Sequence, residues 1–309
     1  MDITKLTAAQ LKETMRPDVG SSDGITAAYL DSLLIETRRI NVPMPDTSFE
    51  FCGETFATPI MAGGMARVGG VHPDGHNAYI LAVREAGSVM WTGMTPDDEF
   101  ADMCTRARCV RIIKAFEDRD KIFAAIKNDE ACGAIAFSMD IDHPFTKRGE
   151  IHEFFGDRLA PVTTQELSDF ARSTKLPFIA KGVLSVKDAE ECAKAGIYGL
   201  LISHHQNIYP WAVPPMHLLP EIKKAVGNDI KVYIDCGLET GIDVFKALAL
   251  GADGVCVARH LRKVFAAGGA GAVKGRIMDM TAELKGALAA TASADICSID
   301  PTVIHHRAF

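Results

Sequence analysis

The strongest constraint on this chain is that it repeats itself. Between residues 176 and 261 the apolar run Pro177-Phe-Ile-Ala180 stops at Lys181-Gly182. A helix opens at Ser185, three residues ahead of Asp188, which suggests reciprocal capping, and it closes at Ala195-Gly196. The next run, Gly199-Leu-Leu-Ile-Ser203, ends in His204-His205. Then Lys231-Val-Tyr-Ile-Asp235 leads into Cys236-Gly237, a helix runs from Thr240 to Leu250-Gly251, and Gly254-Val-Cys-Val-Ala258 ends at Arg259-His260. Ser185 and Thr240, Asp188 and Asp243, Gly196 and Gly251, Gly199 and Gly254 are each 55 positions apart (240 − 185 = 55). The repeating unit is βαβ.

Uniformly apolar strands are buried on both faces, and strands alternating with amphipathic helices make a parallel sheet. Such a sheet puts all its carboxyl ends on one side, so residues placed just after each strand converge. Here those positions hold Lys181, His204, His205, Asp235 and Arg259. Further strands are expected at 58–62, 88–92, 109–113 and 134–139, with helices such as 77–86, 118–127 and 164–173. Eight βα units in about 250 residues predict a closed (β/α)8 TIM barrel, with an open doubly wound sheet as the alternative. The expected single domain comprises an N-terminal helical and hairpin extension (1–56), the barrel (57–275) and a C-terminal helix and tail (276–309).

In the extension a helix start at Thr7 and a second helix over 25–39 are expected. The alternation at 49–56 reads as a hairpin centred on Cys52-Gly53, placed to plug the barrel floor. Residues 277–290 read as an amphipathic helix, and 304–309 show no clear structure. A net charge of −7 argues against a nucleic-acid surface or a basic membrane face, which points to small-molecule partners. No run of about 18 apolar residues marks a membrane span, and no signal peptide is indicated, so a cytoplasmic location is expected. The eight cysteines are scattered, without metal or redox spacing, and read as reduced core thiols.

Glycine-containing turns after the last two strands, with Arg259, make a phosphate site of backbone N–H groups, a helix N-terminus and a guanidinium. The plainer reading is that these glycines only turn the chain. Lys181 can be a Schiff-base nucleophile or a charge partner for an anionic cofactor. His205 becomes a general base if a carboxylate orients it, and Asp140, ending the fourth strand, lies on the correct face. Metal binding by adjacent His204 and His205 is disfavoured, because successive side chains leaving a strand diverge. Thr92 can simply cap a turn, whereas Lys114, ending an apolar run, faces the barrel mouth.

With these residues in view the chain resembles the FMN-dependent α-hydroxy-acid dehydrogenase and oxidase family, which contains glycolate oxidase and lactate oxidase. The match is strongest in Pro177-Phe-Ile-Ala-Lys-Gly-Val-Leu, Ala195-Gly-Ile-Tyr-Gly-Leu-Leu-Ile-Ser203 and Gly241-Ile-Asp-Val-Phe-Lys-Ala-Leu-Ala-Leu-Gly-Ala252. It extends more weakly through residues 59–65 and 116–119. The resemblance implies that backbone at Ala62 and Gly63 lies against the flavin ring, that Thr92 replaces a flavin-contacting serine, and that Ser203 belongs to the cofactor site. Lys181 then stands beside the N1 and O2 edge of the flavin, which favours the cofactor-partner role. Asp235 matches a ribityl contact, and Gly237, Ala258 and Arg259 match phosphate positions. His205 matches the base that takes a substrate proton while a hydride equivalent passes to flavin, with Asp140 as its orienting carboxylate.

The departures are specific. Where the family has Ser-Asn-His-Gly and then an arginine for the substrate carboxylate, this chain has Ser203-His-His-Gln206-Asn-Ile208. Lys114 stands where a carboxylate-binding tyrosine is usual, Ile112 replaces a glutamine, and Lys147 or Arg148 is left to match another family arginine. Glu239 stands for an arginine, Cys236 for a glycine, and the fourth βα loop is short. The expected function is therefore FMN-dependent oxidation of a small, hydroxylated, anionic substrate other than glycolate or lactate, with Lys114 and Arg148 as substrate ligands. The alternatives are a non-redox flavin isomerase of the isopentenyl diphosphate isomerase type and an inactive flavin-binding barrel. The resemblance also implies a homo-oligomer, of which a tetramer is typical, and leaves the electron acceptor open.

Overall fold

The computed structural model describes residues 21–66, 68–205, 209 and 211–307, so the helix start expected at Thr7 lies outside it. Eight parallel strands close into a barrel. They are β1 Ile60–Met65, β2 Met90–Gly93, β3 Cys109–Lys114, β4 Ala136–Asp140, β5 Phe178–Val183, β6 Gly199–Ile202, β7 Lys231–Ile234 and β8 Gly254–Val257. The helices after them are α1 Gly75–Glu85, α2 Asp97–Arg106, α3 Arg119–Ala131, α4 Thr164–Arg172, α5 Val186–Lys194, α6 Pro215–Val226, α7 Gly241–Ala249 and α8 Arg259–Ala290. Ladders from β8 to β1 and from β4 to β5 complete the ring. The expected (β/α)8 barrel is the fold observed.

The internal repeat is visible as repeated capping chemistry. Thr240 caps α7 in a full capping box with Asp243, and Ser185 accepts a hydrogen bond from the Asp188 amide at the start of α5. Each cap satisfies amide donors that the first helical turn would otherwise leave unpaired, which fixes where the chain leaves the mouth of the barrel.

A hairpin, Phe49–Phe51 paired with Glu54–Phe56, closes the floor as the alternation suggested. Cys52 and Gly53, both at positive φ (50° and 82°), make its two-residue turn, the geometry that follows strand twist. Phe51 is fully buried, with its ring 5.5 Å from Tyr233 and 6.2 Å from Trp91. Those rings join Met61, Val110, Ile179 and Leu201 in the barrel interior, so the barrel is a packed core rather than a pore.

The ends of the chain differ from expectation. The helix begun near residue 25 covers Ser22–Ser32 and stops there, and Leu33–Ile35 becomes a strand antiparallel to Ile304–His306. The tail thought to be without structure is thus one half of a ladder. Neither half shows a local signal, because β pairing across the whole chain length depends on a partner and on burial, as with Leu33, 2% exposed. The C-terminal helix expected at 277–290 is the second part of α8, which kinks at Gly269 (φ 68°).

Truncation of the floor plug tests this account. Phe51→Ala is expected to cost about 3–5 kcal/mol in chemical denaturation, and a loss under about 1 kcal/mol would mean that the hairpin is not part of the core.

Candidate active site

The site is built from one row of the barrel. Register places Lys114 of β3 and Lys181 of β5 on either side of Asp140 of β4. Lys114 Nζ donates to Asp140 Oδ2 at 2.6 Å and Lys181 Nζ to Asp140 Oδ1 at 2.9 Å. All three residues are 8% exposed or less. Burial by itself favours a neutral carboxyl, yet the two ammonium groups outweigh it and hold Asp140 well below the usual carboxylate range. Burial likewise works against Lys181, but Asp140, Asp235 and Asp142 outweigh it and hold its ammonium above the ordinary lysine range.

His205 follows β6 in a left-handed conformation (φ 42°), which a non-glycine residue adopts only when its surroundings hold it there. Its amide donates to Ser203 Oγ at 3.0 Å. Its Nδ1 lies 2.9 Å from Asp142 Oδ2 but 3.6 Å from Asp140 Oδ1. The carboxylate that orients the histidine is therefore Asp142 and not Asp140, which the sequence reading had chosen. Asp140 ends β4 and Asp142 lies two residues into the loop that follows, and the two lysines claim the first of them. For Asp142 burial is again outweighed, here by hydrogen bonds from His143 and His205, and its pKa is pushed far down. His204 turns the other way: its side chain is fully buried and its Nε2 meets Thr26 Oγ1 at 3.3 Å.

A cleft of about 600 Å³ opens beside this cluster, lined by Gly64, Lys181, His205, Asp235, Gly237, Ala258 and Arg259 among others. The first turn of α8 faces it and has no side-chain cap. Arg259 reaches in, held in a bidentate pair by Asp23 of the N-terminal helix at 2.6 Å to each oxygen. Gly237 turns at φ 78°, while Cys236 occupies the same left-handed region without glycine's freedom. The Cys236 thiol donates to Asp235 Oδ1 at 2.8 Å, and burial next to Asp235 pushes its pKa up. A second cleft of about 430 Å³ is lined by Lys114 and walled by Met94, Ile112, Phe116, Phe154 and Phe155.

The family model for FMN-dependent dehydrogenases matches residues 25–153 and 148–306, almost the whole chain. The chain belongs to the FMN-dependent dehydrogenase family. It is 26% identical over 301 residues to peroxisomal (S)-2-hydroxy-acid oxidase of rice (Oryza sativa subsp. japonica), covering 85% of this chain and 81% of that one. It is 27% identical over 305 residues to human (Homo sapiens) 2-hydroxyacid oxidase 1, covering 85% and 82%. A mandelate oxidase variant with a monooxide FMN adduct shares the fold, with TM-score 0.84, 24% identity, and coverage of 94% of this chain and 93% of that one.

Membership in this family makes the protein an FMN-dependent oxidoreductase, and the cleft fits the cofactor. The uncapped α8 amides and the Arg259 guanidinium suit a phosphate, and the left-handed Gly237 turn lets backbone approach it. Lys181, nearly buried at the inner end, suits the electron-rich edge of a flavin. A phosphate on Arg259 has to share it with Asp23 or displace Asp23.

Several assignments shift in detail. Ala62 is fully buried and Gly63 is covered by Ala258, so Gly64 and Ala258 form the cleft wall expected of Ala62 and Gly63. Thr92, also buried, bonds Thr95 Oγ1 at 2.6 Å and ties down the β2 loop, as its plainer reading had it. Ser203 supports the His205 turn from beneath. Arg148 does not join the site. Thr146 N donates to Glu150 O and Phe145 bridges Ile151, so this segment closes on itself and leaves Lys147 and Arg148 exposed at its tip. Asp142 and His143 were missed; the sequence gives no comparable signal for these two, which lie in the loop just past the end of β4.

Asp142→Asn is expected to lower turnover by on the order of 10²- to 10⁴-fold while bound FMN, read from the visible spectrum, is retained. A loss under tenfold would move the orienting role elsewhere. Asp140→Ala strands two buried ammonium groups and is expected to destabilise the fold by about 3–5 kcal/mol, measured by denaturant titration.

Proposed function

We propose that the protein oxidises a 2-hydroxy acid to the corresponding 2-oxo acid. The observation that carries the proposal is His205, which faces the cleft while its Nδ1 is tied to the partly buried Asp142 at 2.9 Å. With the Nδ1 hydrogen given to Asp142, Nε2 keeps its lone pair and can accept a proton from the substrate. Asp142 then stabilises the imidazolium that results. Bound FMN supplies the acceptor for the two electrons that leave the hydroxyl-bearing carbon.

Lys114 supports the anionic part of the proposal. Its ammonium carries three hydrogens, of which Asp140 Oδ2 (2.6 Å) and His143 Nε2 (3.0 Å) engage two. Among the described residues no further acceptor engages the third, which is left for a substrate carboxylate, the task that falls to tyrosine and arginine where the family pattern is kept. The Phe154 ring, 5.1 Å from Nζ, roofs the ammonium and limits its hydration. The second cleft, walled by Phe116, Phe154 and Phe155, supports a substituent larger than those of glycolate or lactate. The relatives named above are oxidases, which favours this reading over a non-redox isomerase or an inactive barrel.

The test is the visible spectrum of the FMN-loaded protein after anaerobic addition of glycolate, lactate and mandelate. Bleaching of the flavin bands is expected, fastest with mandelate. Bands that no 2-hydroxy acid bleaches would sink the proposal. His205→Ala is expected to slow bleaching by on the order of 10²- to 10⁴-fold without loss of FMN.

A further inference from the structure

The loop after β4 carries a second imidazole for which the reaction above has no use. His143 is 6% exposed, and its ring lies 4.8 Å from that of His205 in an edge-on arrangement. Asp142 serves both: Oδ1 lies 2.7 Å from His143 Nδ1, and Oδ2 lies 2.9 Å from His205 Nδ1. On its other side His143 Nε2 lies 3.0 Å from Lys114 Nζ. An ammonium has no lone pair to offer, so Nε2 must be the acceptor. That fixes the ring as neutral, with its hydrogen on Nδ1 and donated to Asp142. Burial, with the Lys114 charge adding to it, lowers the His143 pKa against the pull of Asp142 and Asp140.

We infer that His143 is a positioning residue for substrate binding: with Asp140 it clamps the Lys114 ammonium so that the remaining N–H meets the carboxylate of the 2-hydroxy acid. The clamp has a definite geometry. Asp140 holds Lys114 from β4, His143 from the loop that follows, and Phe154 of the hairpin Glu153–Arg158 covers it. The loop is in turn held by His152, whose Nδ1 lies 3.2 Å from the His143 carbonyl oxygen and whose ring is 5.5 Å from the His143 ring. One carboxylate, Asp142, therefore orients the base on one side of the substrate and, through His143, the cation on the other. The groups facing His143 are Lys114, Asp140, Asp142, His152 and His205, with Lys181 behind Asp140. Protonation at Nε2 ends the contact and sets two cations 3.0 Å apart.

The inference rests on the reading that Lys114 takes the carboxylate, and a double-mutant cycle separates the two. The FMN-loaded wild type, Lys114→Gln, His143→Asn and the double variant are compared for mandelate KM and kcat, and for the Kd of phenylglyoxylate by calorimetry. Asn at 143 is too short to reach both Asp142 and Lys114. His143→Asn is expected to raise KM and Kd by roughly tenfold or more, the loss of one charge-assisted bond, with kcat changed much less. In the Lys114→Gln background it is expected to add nothing. His143→Gln, which can span both partners, is expected to restore most of the affinity. It is also expected to abolish a rise in wild-type KM as the pH falls through a group below the ordinary histidine range. If Lys114→Gln leaves KM and Kd unchanged, the carboxylate reading itself fails. If Lys114→Gln weakens binding and His143→Asn does not, or if the two effects add, only the positioning role is lost. Should His143→Asn lose its fold in a thermal melt, His143→Gln at wild-type affinity without loss of the acid limb overturns the inference on its own.

Discussion

Asp140 sits between two ammonium groups in the interior of the barrel, and the rest of the site follows from that arrangement. Three charges in one buried row are tolerable only because each cation is within 2.9 Å of the carboxylate. Removing Asp140 strands both ammonium groups, whereas removing either lysine leaves Asp140 with the other. The row fixes Lys181 against the cleft whose lining fits the cofactor and Lys114 against the second cleft. It also occupies Asp140, so the histidine must find a second carboxylate, and Asp142 provides it.

The barrel pays for this polarity at its opposite end. Phe49, Phe51, Trp91 and Tyr233 fill the floor with aromatic rings, and the N-terminal hairpin contributes two of the four. A rigid apolar floor and a charged mouth divide the interior into a part that stabilises and a part that reacts, as expected for this architecture. The N-terminal helix then reaches over the mouth, where Asp23 engages Arg259 and Thr26 engages His204. Segments far apart in sequence thus meet at the Arg259 end of the cleft.

The architecture was legible because its signals are local. Apolar runs of strand length and glycines at helix ends act within one βα unit, the 55-residue repeat relates neighbouring pairs of units, and eight such units have few ways to pack. The strand-end positions of Lys181, His205, Asp235 and Arg259 followed from the same logic. What failed was of another kind. Choosing Asp140 over Asp142 as partner of His205 required knowing that Lys114 and Lys181 take Asp140 first, a competition among three strands. Assigning Arg148 to the substrate required the course of a loop that folds back on itself through the bridge of Phe145 to Ile151. The ladder of Leu33–Ile35 with Ile304–His306 joins segments about 270 residues apart, so neither shows it alone.

By itself, then, the sequence determined the period, the barrel and which strand ends carry chemistry, because hydrophobic periodicity and helix capping depend on near neighbours. Tertiary structure alone decided which carboxylate meets which cation and that His143 joins the site. Those outcomes depend on barrel register and on the direction in which each residue leaves its strand. A buried charge settles on whichever partner lies within hydrogen-bond reach, and that distance is set only when the ring of strands closes.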